Sequence, residues 1–206
     1  GAGRLTASSD LDVIVIYDAD GVEASEGPKS LPARLYYARL TQAMITAMTA
    51  PMSQGRLYEV DMRLRPSGTK GPVATSWASF QSYQQEQAWV WEHLALTRAA
   101  VVVGAQEVSD DIEAFRIALL RGPKDQVHIL KEVAIMRNRI AQAKGTGGVW
   151  DVKIGAGRLQ DIELLSQAGQ LIQGGRALDV ASGLEACVAL GILNAADGAA
   201  LRDIYD

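Results

Sequence analysis

Apolar residues follow both strand and helix periodicities in the first half of the chain. Residues 13–17 form a continuous apolar run that predicts a strand. Residues 57–65 alternate between apolar and charged positions, which predicts a second strand with one solvated face. Apolar residues at helical spacing predict helices over 32–49 and 76–98. Strands and helices are therefore interspersed in this part of the chain.

The second half of the chain has a helical pattern throughout. Helical spacing predicts five further helices, separated by Gly-Pro, Gly-rich or Asn breaks, at 106–121, 125–144, 159–173, 178–191 and 195–206. A short extended segment is predicted at 149–154, between two of these helices. The whole pattern predicts an α+β protein, with a mixed domain at 1–105 and an all-helical domain at 106–206.

Composition limits the kinds of protein that this chain can be. Its 206 residues suffice for one large domain or two small ones, and its formal net charge of −4 argues against nonspecific binding to nucleic acids or membrane surfaces. The single cysteine, Cys187, excludes a disulfide within the chain and is expected in the core. No apolar run approaches the roughly 18 residues of a membrane span. We expect a cytoplasmic protein, and an excised piece of a longer one.

Acidic residues lie at the start of the first predicted strand and within the second. Asp10 and Asp12 are two positions apart and lead into residues 13–17, so both carboxylates point to one side. Asp61 lies on the charged face of the strand at 57–65. If the two strands are neighbours, the three carboxylates converge and repel one another unless a cation lies among them. Oxygen ligands of this kind suit a hard cation such as Mg²⁺.

Two arginines share the charged strand face with Asp61. Arg63 and Arg65 carry guanidinium forks that match phosphate oxygens, and the pattern is therefore the outline of a metal-dependent phosphoryl or nucleotidyl transfer site. Two plainer interpretations remain open. Asp10 and Asp12 can form a solvated strand entrance, and Glu59 and the two arginines can form a salt-bridged polar face that orients Asp61.

Four stretches, in order along the chain, resemble one known family. They read GRLTASSDLDVIVIYD, GRLYEVDMRLRPSGTKGPVATS, YQQEQAWVWEHLALTRAAVVVG and DVKIGAGRLQDIELLSQ. Together they are similar to the glutamine synthetase adenylyltransferase family, which belongs to the polymerase-β-like nucleotidyltransferase superfamily. The resemblance implies a nucleotidyltransferase domain with a small mixed sheet at 1–105, truncated at its start, and a helical bundle at 106–206.

The family's enzymes contain two related catalytic halves. One half removes AMP from glutamine synthetase by phosphorolysis, and the other attaches AMP from ATP to a tyrosine hydroxyl. The LRPSG, AWVWEH and LTRAAVVVG segments resemble the C-terminal, transferase half. The alternatives are the removing half, or an inactive fragment that binds a nucleotide or a partner. The resemblance implies Mg²⁺, in two ions, ATP as substrate, glutamine synthetase as partner, and control by the PII signalling protein through the parent enzyme.

The resemblance also assigns residues to roles. It implies that Asp10 and Asp12 are ligands of the catalytic magnesium ions, and that Asp61 is the third carboxylate. Asp61 could also help to take the proton of the tyrosine. Ser8 and Ser9 lie at the turn before the first acid, where their hydroxyl and backbone N–H groups could contact phosphate oxygens.

Three sites later in the chain leave the resemblance open to more than one interpretation. Arg98 could approach the nucleotide, or it could form a structural pair with Glu92. Arg158 stands where the family usually has a second glycine, so a tight backbone approach there is in doubt. Asp161 and Glu163 could line the nucleotide cleft, or they could complement the dipole at the start of their helix.

Overall fold

The computed structural model describes residues 9–56, 58–145, 147–175 and 179–205. These residues form a mixed α and β structure, as the α+β prediction requires. In chain order its elements are β1 (Asp10–Asp12), β2 (Val15–Tyr17), α1 (Ala33–Thr49), β3 (Glu59–Asp61), β4 (Ala74–Ser76), α2 (Trp77–Glu86), α3 (Val90–Thr97), α4 (Gln106–Arg121), α5 (Gln126–Lys144), α6 (Leu159–Gln173), α7 (Val180–Ala189) and α8 (Ala195–Tyr205). None of the described helices has the length and apolar character needed to cross a membrane.

The described chain divides into two compact units between Ala88 and Trp89. In the first unit, β1 pairs with β3 and β2 pairs with β4, both in parallel. Helix α1 packs on β3 and β4, and α2 packs on β2 and β4. The domain boundary at 105–106 stays a prediction, and the contacts place α3 with the helices that follow it.

The predicted strand at 13–17 is divided between two sheets. The backbone N–H of Val13 donates to the carbonyl of Asp61 at 2.8 Å, which extends the β1–β3 ladder by one bond. The chain then leaves β3, and β2 pairs with β4 instead. Residues 10–12 therefore form a strand themselves. Asp10 and Asp12, which could have been a solvated segment before the strand, are paired residues of the β1–β3 ladder.

The predicted strand at 57–65 is three residues long in the structure. It ends at Asp61 because the carboxylate of Asp61 accepts the backbone N–H of Arg63 at 2.8 Å, which turns the chain. Arg65 then donates to the carbonyl of Met62 at 2.8 Å. Side-chain bonds of this kind compete with a strand ladder for the same backbone groups, and strand alternation alone does not reveal them.

The single helix predicted at 76–98 is two helices. The N–H of Ala88 donates back to the carbonyl of Tyr83 and ends α2. One residue later, the N–H of Trp89 donates to the Glu92 carboxylate at 2.9 Å, which caps the start of α3. The Glu92 side chain is therefore used as a cap, one of the structural uses open to it.

The second unit is built around α6, which contacts every other helix in the unit from α3 to α8. The predicted helices at 106–121 and 159–173 are confirmed, and Asp125 and Asp179 cap α5 and α7 by accepting N–H groups of the first turn. The extended segment predicted at 149–154 is wrong. These residues form turns and bends, since the Asp151 carboxylate accepts the N–H groups of Lys153 and Ile154 at 2.9 Å.

Helices α6 and α7 approach each other closely through small residues. A side chain at Gly183 would meet the Ser166 backbone oxygen at 2.5 Å, and one at Gly169 would meet Cys187 Sγ at 2.6 Å. Cys187 is fully buried and its thiol donates to the Leu165 carbonyl. The core position predicted for this thiol is therefore confirmed. Burial also raises the pKa of Cys187 to about 11.

We expect Gly183→Ala to destabilise the helical unit. The added methyl group has no room beside Ser166 and must push α6 and α7 apart, which costs roughly 1–3 kcal/mol. Urea unfolding, followed by helical circular dichroism, measures the loss. Gly148→Ala is the matched control, because a side chain there meets nothing within 4 Å. Equal stabilities for the two variants would contradict the close α6–α7 contact.

A buried arginine of α4, paired with a glutamate, hydrogen-bonds the C-terminal end of α3. The Arg116 side chain is 4% exposed, and it pairs with Glu113 at 2.6 Å while donating to the Leu96 carbonyl at 3.1 Å. The second oxygen of Glu113 accepts the N–H of Val101 at 3.4 Å. One arginine therefore satisfies a helix-terminal carbonyl and neutralises a carboxylate that orders the following segment.

Replacing Arg116 with methionine is expected to cost about 2–4 kcal/mol of unfolding free energy, because it leaves the Glu113 charge and the Leu96 carbonyl without this partner. Urea titration of the two proteins gives the difference. The double variant Arg116→Met with Glu113→Gln removes the uncompensated charge and should recover part of the loss. A single variant as stable as the wild type would show that the pair is dispensable.

Candidate active site

The register of β1 and β3 brings the predicted acidic residues onto one surface. Asp12 is paired with Asp61, and Asp10 is paired with Glu59. Paired residues of parallel strands project to the same side, and so do residues two apart. The four carboxylates therefore share one face of the β1–β3 ladder. Glu59, a residue of the polar strand face, thus joins the three aspartates that were predicted to converge.

The carboxylate of Asp61 is largely buried, and Arg63 contacts both of its oxygens. Its side chain is 14% exposed. Oδ1 accepts the backbone N–H of Arg63 at 2.8 Å, and Oδ2 accepts Arg63 Nε at 2.7 Å together with Nη2. The guanidinium thus binds Asp61 through two nitrogens, while the backbone of the same residue fixes the other oxygen.

This contact favours the ionised form of the Asp61 carboxyl group. The hydrogen bond from the Arg63 side chain lowers the carboxyl pKa, against the opposing effect of burial. A carboxyl whose pKa is lowered by folding contributes stability above its unfolded pKa, and that contribution disappears as the pH falls through the folded pKa. Asp61 is therefore an anion throughout the neutral range, and the pair stabilises the fold there.

Arg63 also lies in the field of the other two aspartates. Hydrogen bonding to Asp61 raises the pKa of the guanidinium, and the charges of Asp12 and Asp10 add to this effect. The positive charge of Arg63 therefore offsets the repulsion among the three carboxylates. The sequence alternative in which arginine orients Asp61 agrees with these contacts.

The donor chemistry of the β1–β3 face fits a hard divalent cation. Asp10, Asp12 and Asp61 offer carboxylate oxygens, which Mg²⁺ prefers, and they lie on one face. Within the residues that the structure describes, no three His, Cys, Asp or Glu side chains are grouped as a metal ion requires. The Arg63 guanidinium occupies Oδ2 of Asp61, and a cation that coordinates this oxygen must displace it.

Arg65 is committed to the turn that follows β3. Its Nη1 donates to the Met62 carbonyl at 2.8 Å, Nε to Gly71 at 3.3 Å and Nη2 to Thr69 at 3.3 Å. This guanidinium closes the loop from 62 to 71. Its predicted contact with phosphate stays a prediction, and the Pro-Ser-Gly turn directly after it was the sequence signal for a structural role.

The remaining predicted site residues are Ser8, Ser9 and Arg98. Ser9 directly precedes β1 and is partly buried, whereas Ser8 lies outside the described residues. Arg98 belongs to the second unit, where it is exposed at the C-terminal end of α3. Substrate contacts for these three residues stay predictions.

The motif at 151–167 has a structural network of its own. Asp161 in the first turn of α6 pairs with Arg137 of α5 at 3.3 Å and accepts the N–H of Gly157 at 2.8 Å. Glu163 accepts the hydroxyl of Tyr205 at 3.0 Å. These bonds join α5, α6 and α8, and of the two interpretations of Asp161 they favour the one at the helix start.

Arg158 holds the loop before α6 in place. Its Nη1 donates to the carbonyls of Gly148 at 3.0 Å and Ile154 at 2.7 Å, and also to that of Asp151. Arg158, which departs from the family pattern, thus holds the backbone of this loop in its conformation. Trp150, at the loop's outer side, is 93% exposed.

The strands that carry the candidate site lie within a range that a known family model matches. The family model "Glutamate-ammonia ligase adenylyltransferase" matches residues 1–114, a range that contains all four strands. A "Bifunctional glutamine synthetase adenylyltransferase/adenylyl-removing enzyme" of Rhodopseudomonas palustris (strain TIE-1) is 46% identical over 208 residues, covering 98% of this chain and 21% of the relative.

Relatives of the same name occur in other organisms. The protein of Bradyrhizobium sp. (strain BTAi1 / ATCC BAA-1182) is 45% identical over 98% of this chain and 21% of its own length. That of Mesorhizobium japonicum (strain LMG 29417 / CECT 9101 / MAFF 303099) is 44% identical over 88% of this chain and 19% of its own length. The chain spans about a fifth of the curated relatives that it matches, and it belongs to the glutamate-ammonia ligase adenylyltransferase family.

Proposed function

We propose that this chain provides a Mg²⁺-dependent adenylyl transfer site, which moves AMP from ATP to a tyrosine hydroxyl of glutamine synthetase. The observation that carries the proposal is the pairing of Asp12 with Asp61 across parallel strands, with Asp10 on the same face. It lies within the range that the family model matches. The proposal includes a polymerase-β-like nucleotidyltransferase fold for the first unit.

The carboxylates of Asp10, Asp12 and Asp61 would hold the cation, in two ions as the resemblance implies. Bound Mg²⁺ would lower the pKa of the attacking hydroxyl and offset the charge of the departing pyrophosphate. The role of the chain is to fix these charges and to orient the reactants, which supplies most of the catalysis in phosphoryl transfer.

The bond changes in the proposed reaction are few. The tyrosine oxygen forms a bond to the α-phosphorus of ATP, the bond from that phosphorus to the bridging oxygen breaks, and pyrophosphate leaves with the electron pair. The tyrosine proton must be taken up. Asp61 is suited to holding charge rather than to taking this proton, because a carboxylate that coordinates a cation is a weak base.

The adenylyl-removing reaction is the second candidate function. The printed names of the relatives are bifunctional, so a fragment of such a protein can carry either activity. In that reaction inorganic phosphate attacks the adenylyl phosphorus, the tyrosine leaves and ADP forms. The carboxylates serve both reactions, and the sequence resemblance in the LRPSG and AWVWEH segments favours the transferase. Regulation by PII would act through the parent enzyme in the cytoplasm.

We expect the chain to label unmodified glutamine synthetase when incubated with Mg²⁺ and α-³²P-ATP. Asp12→Asn should reduce labelling by at least about 100-fold, since changes even in groups that support a metal ligand cost 10–100-fold. Asp20→Asn is the matched control. Asp20 is an exposed acid of the same unit whose φ of 46° asparagine tolerates, and labelling should persist.

Product analysis separates the candidates. Label on the synthetase, sensitive to EDTA and to Asp12→Asn, supports the transferase. Release of ADP from adenylylated synthetase in the presence of phosphate, with no labelling, assigns the removing reaction instead. A chain that carries out neither reaction would contradict an enzymatic role for this fragment and leave nucleotide or partner binding as its function.

A further inference from the structure

Both oxygens of Asp61 are engaged by Arg63, but in different ways. Oδ1 is bonded to the backbone N–H, which stays in place whatever the side chain does. Oδ2 accepts two guanidinium nitrogens, Nε at 2.7 Å and Nη2. A carboxylate oxygen has two lone pairs, so the guanidinium uses both lone pairs of Oδ2. A cation that coordinates Oδ2 must therefore replace the Arg63 side chain.

Arg63 is free to move in a way that its neighbour Arg65 is not. The Arg63 side chain is 74% exposed, so its departure from Asp61 opens no cavity. Arg65 bonds three backbone carbonyls and cannot leave without opening the turn at 62–71. When the Arg63 guanidinium departs, the backbone bond to Oδ1 still fixes the orientation of the Asp61 carboxylate.

We propose that Arg63 is an exchangeable counterion, a positioning residue that binds Asp61 until a divalent cation coordinates the β1–β3 carboxylates and then binds the phosphate oxygens of the nucleotide. The inference rests on the proposed function for the identity of the cation and nucleotide. The guanidinium leaves no lone pair of Oδ2 for a cation, and a guanidinium beside a bound cation is repelled by it and attracted to phosphate.

The exchange couples two binding events through one side chain. Without a nucleotide, Arg63 competes with the cation for Asp61 and weakens cation binding. With a nucleotide, the released guanidinium gains a phosphate partner, and cation binding becomes tighter. Linkage requires that the cation tightens nucleotide binding by the same factor. A side chain that only orients Asp61 would instead strengthen cation binding under both conditions, so the two roles predict opposite signs.

The test measures Mn²⁺ affinity of the full chain by electron paramagnetic resonance, with and without α,β-methylene-ATP, which cannot be cleaved between its α and β phosphates. In Arg63→Gln we expect Mn²⁺ affinity without nucleotide to rise about 5–10-fold, because the competitor is absent. The tightening of nucleotide binding by Mn²⁺ should fall by about tenfold, within the usual range of coupling between sites.

Arg39→Gln is the matched control. Arg39 is also an exposed arginine of this unit, and it lies on α1 rather than on the β1–β3 face. It should leave both measurements within about twofold of the wild type. Arg63→Lys keeps the charge without the planar fork, so its Mn²⁺ affinity should lie near that of the wild type while the gain with nucleotide decreases. Circular dichroism verifies that each variant is folded.

Weaker or unchanged Mn²⁺ binding in folded Arg63→Gln overturns the exchange, and so does an absence of Mn²⁺ binding to the wild type. Loss of binding in Asp12→Asn identifies the site that is being measured. Because glutamine synthetase takes no part, a chain that fails to transfer AMP can still confirm the exchange. A chain that transfers AMP can equally overturn it.

Discussion

Parallel pairing of β1 with β3 is the constraint on which the candidate site depends. The ladder sets Asp12 beside Asp61 and Asp10 beside Glu59, and it thereby concentrates negative charge on one face. Like charges on adjacent strands destabilise a sheet, so the arrangement needs a positive charge close by. Arg63 supplies that charge through its guanidinium, while its backbone N–H bonds the other oxygen of Asp61 and ends the strand. Charge compensation and strand termination therefore depend on the same residue.

Much of this arrangement was predictable because its signals are local. The spacing of Asp10 and Asp12 places both on one side of any strand, and the alternation around Asp61 places it on a polar face. The helices at 106–121 and 159–173 follow from apolar periodicity that packing against other helices preserves. The family model then matches the first three of the four stretches that carried the resemblance.

The differences between prediction and structure arise from side-chain bonds to the backbone. Periodicity continues from 76 to 98, but Glu92 caps a new helix at Trp89 and divides the segment. Alternation continues to Arg65, but Asp61 takes the N–H that the next ladder bond would need. Apolar character at 149–154 suggests an extended segment, yet Asp151 bends it. Each of these residues has an ordinary alternative role, so the sequence alone does not decide which bond forms.

In the loop before α6, the residues that hold the backbone conformation differ from those that form the exposed surface. Arg158, which directly precedes α6, donates to three backbone carbonyls of the loop. Val149, Trp150 and Val152 are 90%, 93% and 69% exposed and contribute little to holding that path. Mutations at these three positions can therefore alter what the loop presents to other molecules while its backbone trace is inherited unchanged. The surface of the segment can change in this way because Arg158 and Asp151, and not these three residues, hold its backbone.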